Sequence, residues 1–203
     1  IASFNMLNDT IEAWSPVASI GLICLSSSGN DLYLGANGLI GGEVRSRLAA
    51  IDLIGDTLTS WNPNVNAYIS ALKIDGNKAY IGGNFDSVGL FQRNHLAVVD
   101  LTSGIADAWN PNVNNGVSSI DIHGGNVIIG GSFSAVGGTN RYRLAAISAS
   151  TGALTSWSCY TAGNIAKVQV VGNSLYVAGY FTTIGGAARN RLAKVSLSSG
   201  STL

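Results

Sequence analysis

Apolar residues in this chain come in short runs, alternating with polar positions or crowding together for four or five residues, and Gly, Asn, Asp and Ser punctuate the gaps. In residues 62–109 the run Ile69-Ser70-Ala71-Leu72-Lys73-Ile74 meets Asp75-Gly76-Asn77, after which Lys78-Ala79-Tyr80-Ile81 returns. Apolar, β-branched segments on either side of residues that accept positive φ predict a tight hairpin. A longer loop, Asp86 to Asn94, precedes a third run from His95 to Leu101, and the turn Thr102-Ser103-Gly104 leads to a fourth from Ile105 to Trp109. No segment sustains a 3.6-residue apolar period, so the pattern predicts strands and no helix.

These four runs recur along the whole chain. Trp14, Trp61, Trp109 and Trp157, its only tryptophans, are spaced by 47, 48 and 48 residues. Between them recur a Leu-Ala step (Leu48, Leu96, Leu144, Leu192), a paired-glycine strand ending (Gly82-Gly83, Gly130-Gly131) and an Asn-Pro-Asn-Val-Asn loop from Asn62 and from Asn110. Four antiparallel strands in each period of about 48 residues predict β-propeller blades, which stack to bury faces that no blade can bury alone. The blades fall at 15–61, 62–109, 110–157 and 158–203, the last with a truncated final strand. Residues 1–14 align with Leu48 through Trp61 and read as the second half of a preceding blade. Five copies of the second hairpin against four of the first predict a segment of a larger propeller or array, with unpaired end hairpins open to self-association.

Packing explains the tryptophan column, because twisted neighbouring blades leave a wedge that a bulky ring fills. A sugar-stacking platform is the competing reading. The paired glycines Gly82, Gly83, Gly130 and Gly131 predict close backbone approach or a bulge near the end of the second strand. The first unit departs here with Gly35-Ala36-Asn37-Gly38 and is expected to be the least regular.

Charge narrows the function classes. Lys and Arg number 11, Asp and Glu also 11, and charged residues make up only 11% of the chain, so no basic field exists to attract nucleic acid or an anionic membrane. No apolar run approaches the roughly 20 residues of a membrane span. A polar surface built from Asn, Ser, Thr and glycine suits a secreted or cell-surface protein. Cys24 and Cys159 occupy non-equivalent repeat positions, which argues against a disulfide.

The repeat resembles the delta-sixty repeat family of bacterial β-propellers in Trp61-Asn62-Pro63, in Ile81-Gly82-Gly83-Asn84-Phe85, in Val136-Gly137-Gly138 and in Arg189-Asn190-Arg191-Leu192-Ala193. It departs by using Trp where Phe is usual and Gly-Asn where Asp-Gly is usual. The resemblance implies a part of a large secreted or surface protein and supplies no catalytic residues.

Two repeated columns are candidate binding residues. Arg45, Arg93, Arg141 and Arg189 share one position, and guanidinium groups on one face could clamp carboxylates or sulfated sugars. The structural alternative has each arginine tie the loop before the third strand to a neighbouring carbonyl or to Asp52 or Asp100. Asn64, Asn66, Asn112 and Asn114 could offer amides to a polar ligand, or simply build turns. Dispersed carboxylates predict no metal site, no cofactor is implied, and His95, His123 and Cys159 form no nucleophile–base pattern. The leading expectation is a non-enzymatic extracellular scaffold or adhesive module that binds a protein or polysaccharide surface. A filament or surface-layer building block is a second reading, and a carbohydrate-active enzyme using the propeller mouth a third.

Overall fold

The computed structural model describes residues 21–36, 38–40, 43–45 and 47–203, together with strand positions 4–5 and 10–11. Strands and turns make up the described residues, with no helix among them. Four blades follow one another as antiparallel sheets. Their first strands are Leu22–Ser28, Ile69–Asp75, Val117–His123 and Ile165–Val171; the second are Asp31–Ala36, Lys78–Gly83, Asn126–Gly131 and Ser174–Gly179; the third are Leu48–Asp52, Leu96–Asp100, Leu144–Ser148 and Leu192–Ser196. Successive first strands lie side by side, which brings the blades face to face in a propeller segment.

The fourth strand is short. It is Thr57–Leu58 in blade one and a single bridge in the others, Val99 to Ala106, Ile147 to Leu154 and Val195 to Thr202. In blade two, two backbone bonds hold it, Asp100 N–H to Ile105 O at 3.0 Å and Asp107 N–H to Val98 O at 2.8 Å. The chain then leaves the sheet to carry Trp109 into the next junction, which explains the early end.

The long loop expected between the second and third strands holds a hairpin of its own. Ser87–Val88 pairs with Phe91–Gln92, Ala135–Val136 with Thr139–Asn140, Thr183–Ile184 with Ala187–Ala188, and Gly38–Ile40 with Glu43–Arg45. The Asn-Pro-Asn-Val-Asn loops bridge to it through Val65 and Val88 and through Val113 and Val136. The bulge expected from the glycine pairs is present in all four blades, between Leu22 and Cys24, Gly82 and Gly83, Val117 and Ser119, and Ile165 and Lys167. Blade one therefore follows the common plan, although Asn37 lies outside the described residues.

Alternation along each strand divides the side chains between two junctions. Leu96 and Val98 of blade two pack with Trp109, Val117 and Ile129 of blade three, whereas Ala97 and Val99 turn back to Tyr33, Leu48 and Ala50 of blade one. Burial on both faces explains why the third strands of blades one to three read as apolar runs.

Each described tryptophan closes a junction in one way. Trp61 donates its indole N–H to the Asp100 carbonyl at 3.0 Å, Trp109 to Ser148 at 2.9 Å and Trp157 to Ser196 at 3.2 Å, in every case 39 residues onward. The ring of Trp61 meets Tyr33 edge to face at 5.0 Å, and that of Trp109 meets Tyr80 at 5.7 Å. Ile128 takes the tyrosine position facing Trp157, which is only half-buried. Trp14 lies outside the described residues.

At the start of the chain, Phe4 pairs with Ile11 and Asn5 with Thr10. That register reproduces the pairs Ile51 to Leu58 and Asp52 to Thr57 of blade one. The remainder of residues 1–14 lies outside the described residues.

Candidate functional site

The arginine column faces inward to the backbone of its own blade. Arg93 donates through Nε and Nη2 to the Asp107 carbonyl at 3.2 and 2.7 Å, and through Nη1 to Gln92 O at 2.8 Å. Arg45 Nη2 reaches Thr59 O and Arg141 Nη2 reaches Thr155 O, both at 3.1 Å and both 14 residues onward. A carbonyl takes these groups, as the structural alternative expected, and Asp52 and Asp100 do not. Arg189 is exposed, and its guanidinium donates to the adjacent Ala188 O at 2.9 Å. These bonds tie the loop before the third strand to the short fourth strand, Arg93 through a fork and Arg45 and Arg141 through Nη2, while the buried Nε of Arg141 has no hydrogen-bond partner.

Two residues further on, Arg47, His95, Arg143 and Arg191 all adopt positive φ, between 63° and 71°. This left-handed step turns both backbone groups of His95 onto the second strand, N–H to Phe85 O at 2.8 Å and carbonyl to Gly83 N–H at 3.0 Å. Two of the side chains reach the next blade, Arg47 covering the ring of Tyr68 at 4.9 Å and Arg143 Nε donating to Asn164 Oδ1 at 3.0 Å, whereas His95 Nδ1 lies 3.2 Å from Gly83 O of its own blade.

The asparagines are likewise engaged. Asn64 and Asn112 hold the left-handed turn at φ 57° and 53°, and Asn112 Oδ1 accepts from Asn94 at 2.7 Å. Asn66 Oδ1 accepts the N–H groups of Asp86 and Ser87, and Asn114 Oδ1 those of Ser134 and Ala135. Neither column assembles into one pocket with the arginines.

The glycine pair serves the junction as well as the bulge. A Cβ on Gly82 would come within 2.7 Å of Val117 Cγ1, and one on Gly130 within 2.5 Å of Ile165 Cγ2, both on the next blade. A Cβ on Gly83 or Gly131 would strike the carbonyl oxygens of Tyr68 and Gly116 at 2.0 and 2.1 Å.

Positions that break the repeat form the open features. A cavity of about 380 Å³ lies among the four first strands, bounded by Leu22, Cys24, Ala71, Ser118 and Lys167. Burial pushes the Cys24 thiol up to about 11, against the opposing pull of the Gly35 hydrogen bond and the Lys167 charge. Cys159, wholly inside the junction of blades three and four, is likewise raised to about 11 by burial. The two thiols are free.

A second groove of about 350 Å³ lies on blade two between the Asn62 to Asn64 loop, the small hairpin and the turn at Ser103. Leu90, Phe91 and Ile105 line it, and all three are exposed. Blade three has Gly138, Thr139 and Ala153 at these positions, and blade four Gly186, Ala187 and Ser201. In those blades both turn glycines have positive φ; in blade two only Gly89 does, because Leu90 carries a side chain, and its side chain projects from the tip. The sequence reading passed over this trio, whose signal was a departure from the repeat.

Among the described residues, no group of His, Cys, Asp and Glu could hold a metal ion, and no helix is long and apolar enough to cross a membrane.

No protein-family model matches the sequence, and no curated protein does. Solved structures do share the fold. The computationally designed protein Ika4 is similar at TM-score 0.62 and 12% identity, over 89% of this chain and 94% of that one. A chain of the mitotic checkpoint complex is similar at TM-score 0.64 and 17% identity, over 99% of this chain and 57% of that one. The extracellular domain of the B. thetaiotaomicron protein BT4673 is similar at TM-score 0.63 and 19% identity, over 90% of this chain and 23% of that one. The chain thus spans about half of one natural neighbour and a quarter of the other. At these identities the likeness is one of fold.

Proposed function

We propose that this chain is part of a non-enzymatic, extracellular or cell-surface β-propeller of the delta-sixty repeat type, acting as a scaffold and binding module. One observation carries the reading. The repeated polar columns are engaged in holding the blades, whereas Leu90, Phe91 and Ile105 break the repeat, stay exposed and converge on a single groove. Exposed apolar side chains gathered beside rigid turns are what a recognition surface needs. The sparse charge and the abundance of Asn, Ser, Thr and Gly fit a protein working outside the cell.

The test is an array of surface polysaccharides and extracellular proteins probed with the labelled chain. Saturable binding to one or more of them is expected, lost when Leu90→Gly, Phe91→Thr and Ile105→Ala install residues that blade three already carries. Binding unchanged by the triple substitution, or turnover of an arrayed polysaccharide, would overturn the reading.

A further inference from the structure

Residues of blades two, three and four border a hollow of about 200 Å³ where the first strands begin and the second strands end. Tyr68, Gly116 and Asn164 share one place there in the repeat, and of the three only Gly116 has no side chain. Gly116 and Gly131 line the hollow with backbone, and Ser70, Asn84, Ser132 and Asn164 supply polar side chains. A Cβ on Gly116 would lie 2.3 Å from Asn84 Oδ1 and 3.4 Å from Ser132 Oγ, so the missing side chain is what keeps the space open. On Gly21, the matching glycine of blade one, a Cβ would meet no described atom within 4 Å.

The lining is uncharged: no Asp, Glu, Lys, Arg or His borders it. Asn66 and Asn114 are spent on turns, but among the described residues the Asn84 amide and the Ser70 hydroxyl have no hydrogen-bond partner. Arg143 holds the Asn164 carbonyl oxygen at 3.0 Å, which leaves the Asn164 NH2 to donate elsewhere. Ser132 Oγ lies 3.4 Å from both Gly116 O and Asn115 Oδ1, so its proton is engaged and its lone pairs are left to accept.

Such a lining selects by chemistry. A carboxylate, sulfate or phosphate would lose hydration with no counter-charge to replace it, and an apolar group would strand the amides and hydroxyls. An extended peptide needs a groove or a free sheet edge, whereas three blades border this hollow. Its volume is below the roughly 300–1,000 Å³ of sites for drug-sized ligands, so it admits one small ring. A ring with several hydroxyls, each able to donate and accept, matches the amides and hydroxyls around it.

We infer that this hollow binds one uncharged pyranose sugar unit. Asn84 and Asn164 meet its hydroxyls through their amides, Ser70 and Ser132 through their hydroxyls, and the C–H face of the ring rests on the backbone of Gly116 and Gly131. The site goes beyond the proposed function: it lies apart from the blade-two groove and does not depend on that groove having a ligand.

The experiment is titration of the 203-residue chain with glucose, galactose, mannose and N-acetylglucosamine in turn, followed by amide NMR. At least one of these sugars is expected to bind saturably, with the largest shifts at Gly116, Gly131, Ser132 and the side-chain amides of Asn84 and Asn164. Gly116→Asn, which copies Asn164, fills the hollow and is expected to weaken binding about tenfold or more. Asn84→Ser, which copies Ser132, removes one amide and is expected to weaken it about threefold to tenfold, while circular dichroism and the urea midpoint stay unchanged. The substitutions at Leu90, Phe91 and Ile105 leave sugar binding intact, so the two proposals fail separately. The inference is overturned if none of these sugars binds, or if the shifts cluster away from Gly116. It is equally overturned if glucuronate, a sulfated galactose or N-acetyl-triglycine amide binds more tightly than the best of them, or if either variant binds like the parent chain.

Discussion

Lys73 and Asp121 join two blades, with Nζ 2.8 Å from Oδ1 and the aspartate side chain only 6% accessible. The other carboxylate oxygen of Asp121 accepts the Val170 N–H at 2.7 Å and Gln169 Nε2 at 3.2 Å. One side chain therefore ties blades two, three and four at their first strands, and it caps an edge N–H that the sheet of blade four leaves unpaired.

Burial alone would raise the Asp121 carboxyl, but Lys73 and the N–H groups of Val170 and Ile122 outweigh it and hold the group below its usual range. A depressed folded value means stability that is present above the ordinary carboxylate range and lost as pH falls through the folded value. Urea midpoints measured downward from pH 6 are expected to fall below about pH 4, and Asp121→Asn is expected to flatten that slope. An unchanged slope in the variant would show that other carboxylates carry it.

Trp61→Ala and Trp109→Ala are each expected to cost about 3–5 kcal/mol, because they empty a junction and remove the indole bond to Asp100 or Ser148. Trp157, half-buried and facing Ile128, is expected to cost less. Chemical denaturation of the three variants gives the order.

Gly82→Ala and Gly130→Ala are expected to destabilise by about 1–3 kcal/mol, since a methyl group would press on Val117 or Ile165. Ala178→Gly, on the open face of blade four, is expected to change stability by no more than about 1 kcal/mol. The contrast between inner and outer positions is the readout.

Arg93→Ala is expected to cost about 1–3 kcal/mol through the lost forked bond to the Asp107 carbonyl. Arg189→Ala, whose side chain is exposed, should be close to silent. If both were silent and ligand binding fell, the column would be a recognition site.

Burial raises both thiols to about 11, so their stabilising neutrality holds below the unfolded value of about 8.5 and declines as pH rises toward 11. Iodoacetamide at pH 8 is expected to modify Cys159 only at the rate of local opening, and urea should accelerate it. Immediate labelling in native buffer would contradict the burial argument.

Local chemistry was legible in the sequence. Asp75-Gly76-Asn77 allows only a tight turn, the tryptophan spacing measures the blade, and Gly82-Gly83 announces a close approach, because each depends on backbone geometry or on neighbours within one repeat. A residue present in every blade could also be read as solving a problem common to every blade; Arg45, Arg93 and Arg141 each bond a carbonyl 14 residues onward, and Arg189 does not. The small hairpin at Ser87 to Gln92 stayed hidden because two-residue strands carry no periodicity.

Tertiary structure alone decided what lies between repeats. Asp121 is an ordinary strand residue until Lys73 of one blade and Val170 of another are brought to it from 48 and 49 residues away. Leu90, Phe91 and Ile105 look like scattered apolar residues until folding sets them around one groove and leaves them uncovered. Leu192 shares its place in the repeat with Leu96, yet one is open and the other sealed. The sequence determines which face of a strand is apolar; burial belongs to whatever packs on that face, and only three-dimensional placement supplies it.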